Sequence, residues 1–224
     1  MAQRGQTKGA CQFCGKEMTR SGLSKHFKAC KEYEASIQNT VVSAKSQPLY
    51  HLVAYNPWQK EYWLHLEVNG TATLSDLDAY LRAIWLECCG HLSAFLFGRG
   101  HDEIKMSSTI HTIFSSDAQL VHSYDFGDTT ETVIQLVGTR TGVPLSPHPI
   151  FLMARNHAPH YPCMVCKQTA SWLCLDCIYE HDEPGFLCDV HEAAHEHEEY
   201  GSMPIVNSPR FGVCGYDGPA IPPY

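Results

Sequence analysis

Apolar and polar side chains alternate in two neighbouring stretches, LYHLVAY (49–55) and YWLHLEV (62–68). Asn56-Pro57 breaks the chain between them and Asn69-Gly70 closes the second, so the pattern predicts a pair of strands. The period then changes. In SDLDAYLRAIWLECC (75–89), Leu77, Tyr80, Leu81, Ile84, Trp85 and Cys88 recur at helical spacing. This predicts an amphipathic helix with Ser75 as its cap and Asp78 at the third helical position. Further strands are expected at LSAFLF (92–97), TETVIQLVG (130–138) and PIFLMAR (149–155).

YDFGD (124–128) reads as a strand entering a tight turn, with Tyr124 and Phe126 on one face and Asp125 and Asp128 on the polar side. A structural turn is the favoured reading; the functional one is an acidic surface site with His91 and His122 close by. Cys88 and Cys89, at the end of the apolar helix, read as packed small residues. Residues 32–48 lose periodicity and end in Gln-Pro, which predicts a linker, and residues 208–224 are an irregular Gly/Pro-rich tail with Tyr216 and Tyr224 as candidate anchors. The expected class is α+β: a central mixed α/β domain over 49–157, between a small unit at 1–31 and a second at 158–207.

Three stretches of the central region, LSDLDAYLRAIWLE (74–87), HLSAF (91–95) and YDFGD (124–128), occur in that order. Together they resemble the plasmid pRi ORF-three-like family, whose members often travel with mobile elements. The resemblance covers roughly 49–157 and implies a compact α+β fold. It implies no activity. Ser93 and Ala94 stand where that family commonly has His and Glu, and Thr129-Thr130-Glu131 follow YDFGD where Trp and His are common.

Composition narrows the classes. With 224 residues, 44% of them hydrophobic, the chain can bury one proper core and one or two small satellites. Its polar start, MAQRGQTKGACQFC, has no apolar signal region, and no run approaches the ~20 apolar residues that span a bilayer. Eleven cysteines without an export signal argue for metal ligation in a reducing compartment, so a cytoplasmic protein without membrane contact is expected. Charge is uneven. Residues 1–31 carry seven basic side chains against Glu17 alone, a net +6, which leaves −14 on residues 32–224 of a chain whose total is −8. A polyanion would be met by the head and repelled by the body.

The head carries its own chemistry. Cys11, Cys14, His26 and Cys30 read C-x2-C-x11-H-x3-C. Cysteines at that close spacing present both sulfurs to one metal, and His26 and Cys30, four apart, face the same way on a helix. Met18, Leu23 and Phe27 fit the small core of a finger and Ser21 its helix cap. This resembles a C2H2-type zinc finger in its CCHC form. Arg20, Lys25 and Lys28 lie on or beside the helix without being ligands, where fingers place base and phosphate contacts.

The tail reads C-M-V-C, C-L-D-C, C-D-V-H and then two more histidines. Cys163, Cys166, Cys174, Cys177, Cys188, His191, His195 and His197 are eight ligands, enough for two tetrahedral sites. A cross-brace would group Cys163, Cys166, Cys188 and His191 on one zinc and Cys174, Cys177, His195 and His197 on the other. A sequential arrangement would group the four cysteines at 163–177. His181 and Cys214 are spare candidates. The stretch HEAAH (191–195) matches the H-E-x-x-H pattern of zinc proteases, whose glutamate activates water. Here its histidines are claimed by thiolate-rich sites, and Glu192 reads as a solvated helix residue. The expected function is that of a non-catalytic adaptor with three zinc ions, touching DNA or RNA through the finger and protein through the acidic body. The alternatives are a pure protein-interaction module and, behind it, a zinc hydrolase at HEAAH.

Overall fold

In the computed structural model the described residues are 7–40, 45–98, 100, 102–115 and 118–224. The chain opens with a short hairpin, β1 (Lys8–Ala10) and β2 (Glu17–Thr19), followed by helices α1 (Arg20–His26) and α2 (Lys31–Gln38). The central region contributes β3 (Gln47–Tyr55), β4 (Trp63–Asn69) and α3 (Leu74–Leu81), which continues as a π-helical turn over Arg82–Leu86. Then follow β5 (Ser93–Phe97), β6 (Glu103–Ile104), α4 (Ile110–Ile113), β7 (Gln119–Tyr124), β8 (Thr130–Gly142) and β9 (Ile150–Arg155). Seven strands form one antiparallel sheet in the order β6-β5-β7-β8-β3-β4-β9. The last part holds β10 (Trp172–Cys174), α5 (Leu175–Tyr179), β11 (Phe186–Leu187), α6 (Asp189–Glu192) and β12 (Ser202–Pro204), with its three strands in a small sheet ordered β11-β10-β12. The mixed α and β content agrees with the expected class. No described helix is long and apolar enough to cross a membrane.

The alternation along β3 and β4 divides the sheet into two faces. Leu52, Ala54, Leu64, Leu66 and Val68 meet α3, the π turn and α4 in the main core. The positions between them, His51, His65 and Glu67, read as polar in the sequence, yet His65 and Glu67 are buried. The N-terminal unit covers the histidines through Phe27, while Glu67 is closed by Tyr33, Arg140 and the Leu145 N–H. Leu23 and Phe27 of α1 share a core with Trp63, Met153 and Ala154 of the sheet, so the N-terminal unit packs directly on the central domain. β1 lies so close to β9 that a Cβ at Gly9 would sit 1.9 Å from the Arg155 carbonyl oxygen. The stretch read as a linker holds α2, whose Tyr33 hydroxyl donates to Glu67 on the same face.

Two helix caps are shifted from their expected positions. Thr19, not Ser21, caps α1, its Oγ1 accepting from the Gly22 N–H. Thr73, not Ser75, caps α3 in a reciprocal box with Asp76. The earlier start brings Leu74 onto the buried face, and Asp78 is instead engaged by Arg82, Ser93 and His122. The helix also stops sooner than its periodicity predicts. After the π turn buries Ile84, Trp85 and Leu86 in succession, Glu87 is extended, and Cys88 and Cys89 fall in a loop.

The tail is ordered against the sheet domain rather than loose. Ser208, Arg210 and Tyr216 are buried, the Ser208 hydroxyl donates to the Trp85 carbonyl, and Tyr224 stacks on His148.

Candidate metal centres

Zinc–sulfur bonds of about 2.3 Å and zinc–nitrogen bonds of about 2.0–2.1 Å give a tetrahedron with S···S edges near ~3.8 Å and S···N edges near ~3.6 Å. The ligand atoms of the head residues Cys11, Cys14, His26 and Cys30 all lie within 4.8 Å of one another, with Cys14 Sγ and His26 Nε2 3.2 Å apart. The hairpin presents the two cysteines, the left-handed Gly15 turns the chain back into β2, and α1 delivers His26 in its last turn.

In the tail the ligands interleave. Cys163, Cys166, Cys188 and His191 gather within 4.8 Å, with Cys166 Sγ 3.8 Å from Cys188 Sγ and Cys188 Sγ 3.2 Å from His191 Nδ1. Cys174, His195 and His197 gather likewise, and Cys177 Sγ approaches His195 Nε2 to 3.1 Å. First with third and second with fourth is the cross-brace order; the four cysteines at 163–177 do not meet as one group. Burial alone would push the Cys163 thiol up, but backbone N–H groups of Cys166, Cys188 and Val165 outweigh it and lower its pKa to about 6. Asp176 braces the second cluster. Its carboxylate accepts the backbone N–H groups of Glu199, Tyr200 and Gly201 just after His197, and those bonds hold its pKa at about 2.

HEAAH is divided between the two clusters: His191 belongs to one and His195 to the other. α6 ends at Glu192, whose carboxylate accepts from the Ser202 hydroxyl and lies 3.8 Å from His197 Nε2. Glu192 is therefore engaged rather than freely solvated. His181 is exposed and outside these groups.

Of the cations expected to meet phosphates, Lys25 and Lys28 are exposed, but Arg20 is committed elsewhere. Its guanidinium lies 3.7 Å over the Tyr55 ring, in the seam between the N-terminal unit and the sheet, where cation–π attraction holds it although burial works against its charge. At YDFGD the favoured structural turn forms, and the alternative acidic surface site does not. Asp125 is buried in a left-handed turn and paired with Arg210, Phe126 points to solvent while Tyr124 is buried, and His122 lies in the core against Asp78.

A fourth group went unread in the sequence. Cys88, Cys89, His91 and Cys214 place one ligand atom each within 4.8 Å of the others. The Cys-Cys-Gly-His run was visible as a local signal, but Cys214 lies 125 positions from Cys89, and no spacing rule connects them.

Neither a protein-family model nor a curated protein matches the chain. Among solved structures, the chain is similar to the protein of unknown function MM3350 from Methanosarcina mazei Go1, at 18% identity and a TM-score of 0.41, over 47% of this chain and 67% of that one.

Proposed function

We propose that this protein is a zinc-organised, non-catalytic adaptor with three structural zinc ions. The observation that carries the reading is the interleaving of the tail ligands, four gathered in one group and Cys174, His195 and His197 in the other with Cys177 Sγ 3.1 Å from His195 Nε2, repeated in simpler form by the four ligands of the finger. Cys11, Cys14, His26 and Cys30 would hold one ion, Cys163, Cys166, Cys188 and His191 a second, and Cys174, Cys177, His195 and His197 the third. Four protein ligands complete a tetrahedral shell and leave no position for a water to be activated, which is the signature of structural zinc. The separation of His191 from His195 argues against hydrolysis at HEAAH.

The finger supplies the contact surface. Lys16, Lys25, Lys28 and Lys31 are exposed around it, while the rest of the chain is strongly acidic, so nucleic acid, DNA or RNA, would be met there and protein partners elsewhere. With Arg20 held against Tyr55, Lys25 and Lys28 are the residues to test. The full-length protein should bind a nucleic-acid duplex with log affinity falling against log salt at a slope of about −2 to −3. Lys25→Ala with Lys28→Ala should flatten that slope and leave zinc content unchanged. An unchanged slope would remove the finger as the contact, and absence of binding at low salt would favour a module that binds protein alone.

A further inference from the structure

The fourth cluster lies outside the three sites just assigned. Cys88 and Cys89 follow the π-helical turn, His91 precedes β5, and Cys214 arrives from the C-terminal tail. Cys88 Sγ is 3.8 Å from Cys89 Sγ, and Cys89 Sγ is 3.7 Å from Cys214 Sγ. His91 Nε2 is 3.0 Å from Cys89 Sγ and 3.4 Å from Cys214 Sγ. The sulfur separations match the ~3.8 Å edge of a tetrahedral thiolate site and are well beyond the ~2.05 Å of a disulfide.

The backbone repeats a device seen at the other sites. Gly15 follows Cys14 and Lys167 follows Cys166, each with positive φ; Gly90 follows Cys89 in the same left-handed conformation. Cys214 itself has a φ of 53°, a conformation that L side chains hold only when their surroundings enforce it. Arg210, buried against Asp125, directs Nη2 to within 3.5 Å of Cys88 Sγ, a cation placed to balance thiolate charge.

We propose that Cys88, Cys89, His91 and Cys214 form a fourth metal site, for a thiophilic d10 cation such as zinc, which fastens the C-terminal tail to the loop after the π turn. Three thiolates and one imidazole are a soft donor set suited to such an ion. Cys89 and Cys214 are exposed, whereas each of the other three groups has at least one fully enclosed cysteine, so this ion exchanges fastest. The site is additional to the three of the adaptor reading and does not depend on it.

The test uses full-length protein purified under reducing conditions and loaded with zinc. Cys89→Ser with Cys214→Ser should lower the metal content by one equivalent against the parent, whatever the parent's total, while the far-ultraviolet circular dichroism stays unchanged. In the parent, Cys89 and Cys214 should resist alkylation until a mild chelator is added, and one zinc should leave ahead of the rest. Undiminished metal content in the double variant would overturn the proposal. So would immediate alkylation of both cysteines in zinc-loaded parent, a measurement that stands even if the variant fails to fold. A Cys89–Cys214 disulfide in the reduced preparation would overturn it as well.

Discussion

Arg210, from the C-terminal tail, is fully enclosed and paired with Asp125 of the YDFGD turn, its Nη2 2.5 Å from the carboxylate. Nη1 donates to the Asp128 carbonyl and to Thr130 Oγ1. One side chain therefore closes a turn whose aspartate it shares with His91, 3.4 Å away, and it anchors the segment that carries Cys214.

Removing one partner of an enclosed ion pair leaves the other charge uncompensated. Arg210→Met should lower stability by about 3 kcal/mol or more, measured by denaturant unfolding with zinc in excess. The tail beyond residue 207 should gain fast amide exchange. Unchanged exchange there would show that the tail is held by its other contacts, such as Ser208 to Trp85.

The finger is fastened by a short chain of imidazoles. His65 Nε2–H donates to the Arg20 carbonyl, which leaves its Nδ1 to accept from His51 Nε2–H at 2.8 Å. Burial lowers both, to about 3 for His51 and about 4 for His65, so both are neutral in the folded protein. Their unfolded counterparts take up protons near ~6.5, so stability should be full above that pH and fall as pH drops from there towards 4. The variant with His51→Gln and His65→Gln should show a shallower decline across that window, compared in the same zinc-buffered solutions. An identical slope would place the acid sensitivity elsewhere.

Gly9 tests the docking of finger on sheet. Its missing Cβ is what allows β1 to meet the Arg155 carbonyl and the Trp63 ring, so Gly9→Ala must force the two apart. A loss of about 1–3 kcal/mol is expected, as for overpacked cores. Residues 8–30 should lose exchange protection while 163–204 keep it. Gly138→Ala, at a position with nothing within 4 Å, should be far milder and serves as the control.

For the HEAAH stretch, Glu192→Gln should leave zinc content unchanged because the carboxylate is outside both ligand groups, and the amide retains an oxygen for the Ser202 hydroxyl. His191→Ala should lose one zinc and loosen the tail module. Peptide hydrolysis present in the parent and abolished by Glu192→Gln would reverse the adaptor reading.

Short-range chemistry was legible in the sequence. Two cysteines separated by two residues reach one ion through local backbone geometry alone, which is why the groups at 11–30 and 163–197 could be named; which of the tail ligands share a group is decided by the fold, since the sequence allows the cross-brace and the sequential arrangement alike. The strands were legible for the same reason, since alternation of side chains across a pleat is a property of neighbouring residues. What lies against a face is not. His65 and Glu67 look solvent-facing along β4, and only the docked N-terminal unit over His65, with Tyr33 and Arg140 over Glu67, shows why β4 is buried on both sides. Arg20 has the position of a phosphate contact and the surroundings of a stacked seam residue. Cys88 and Cys89 looked like the end of an apolar helix until the π turn ended it early, and Cys214 met them only through the folding back of a tail held by Arg210 and Asp125. The sequence determined which atoms can bind a metal; the long-range packing of the chain decided which of them meet.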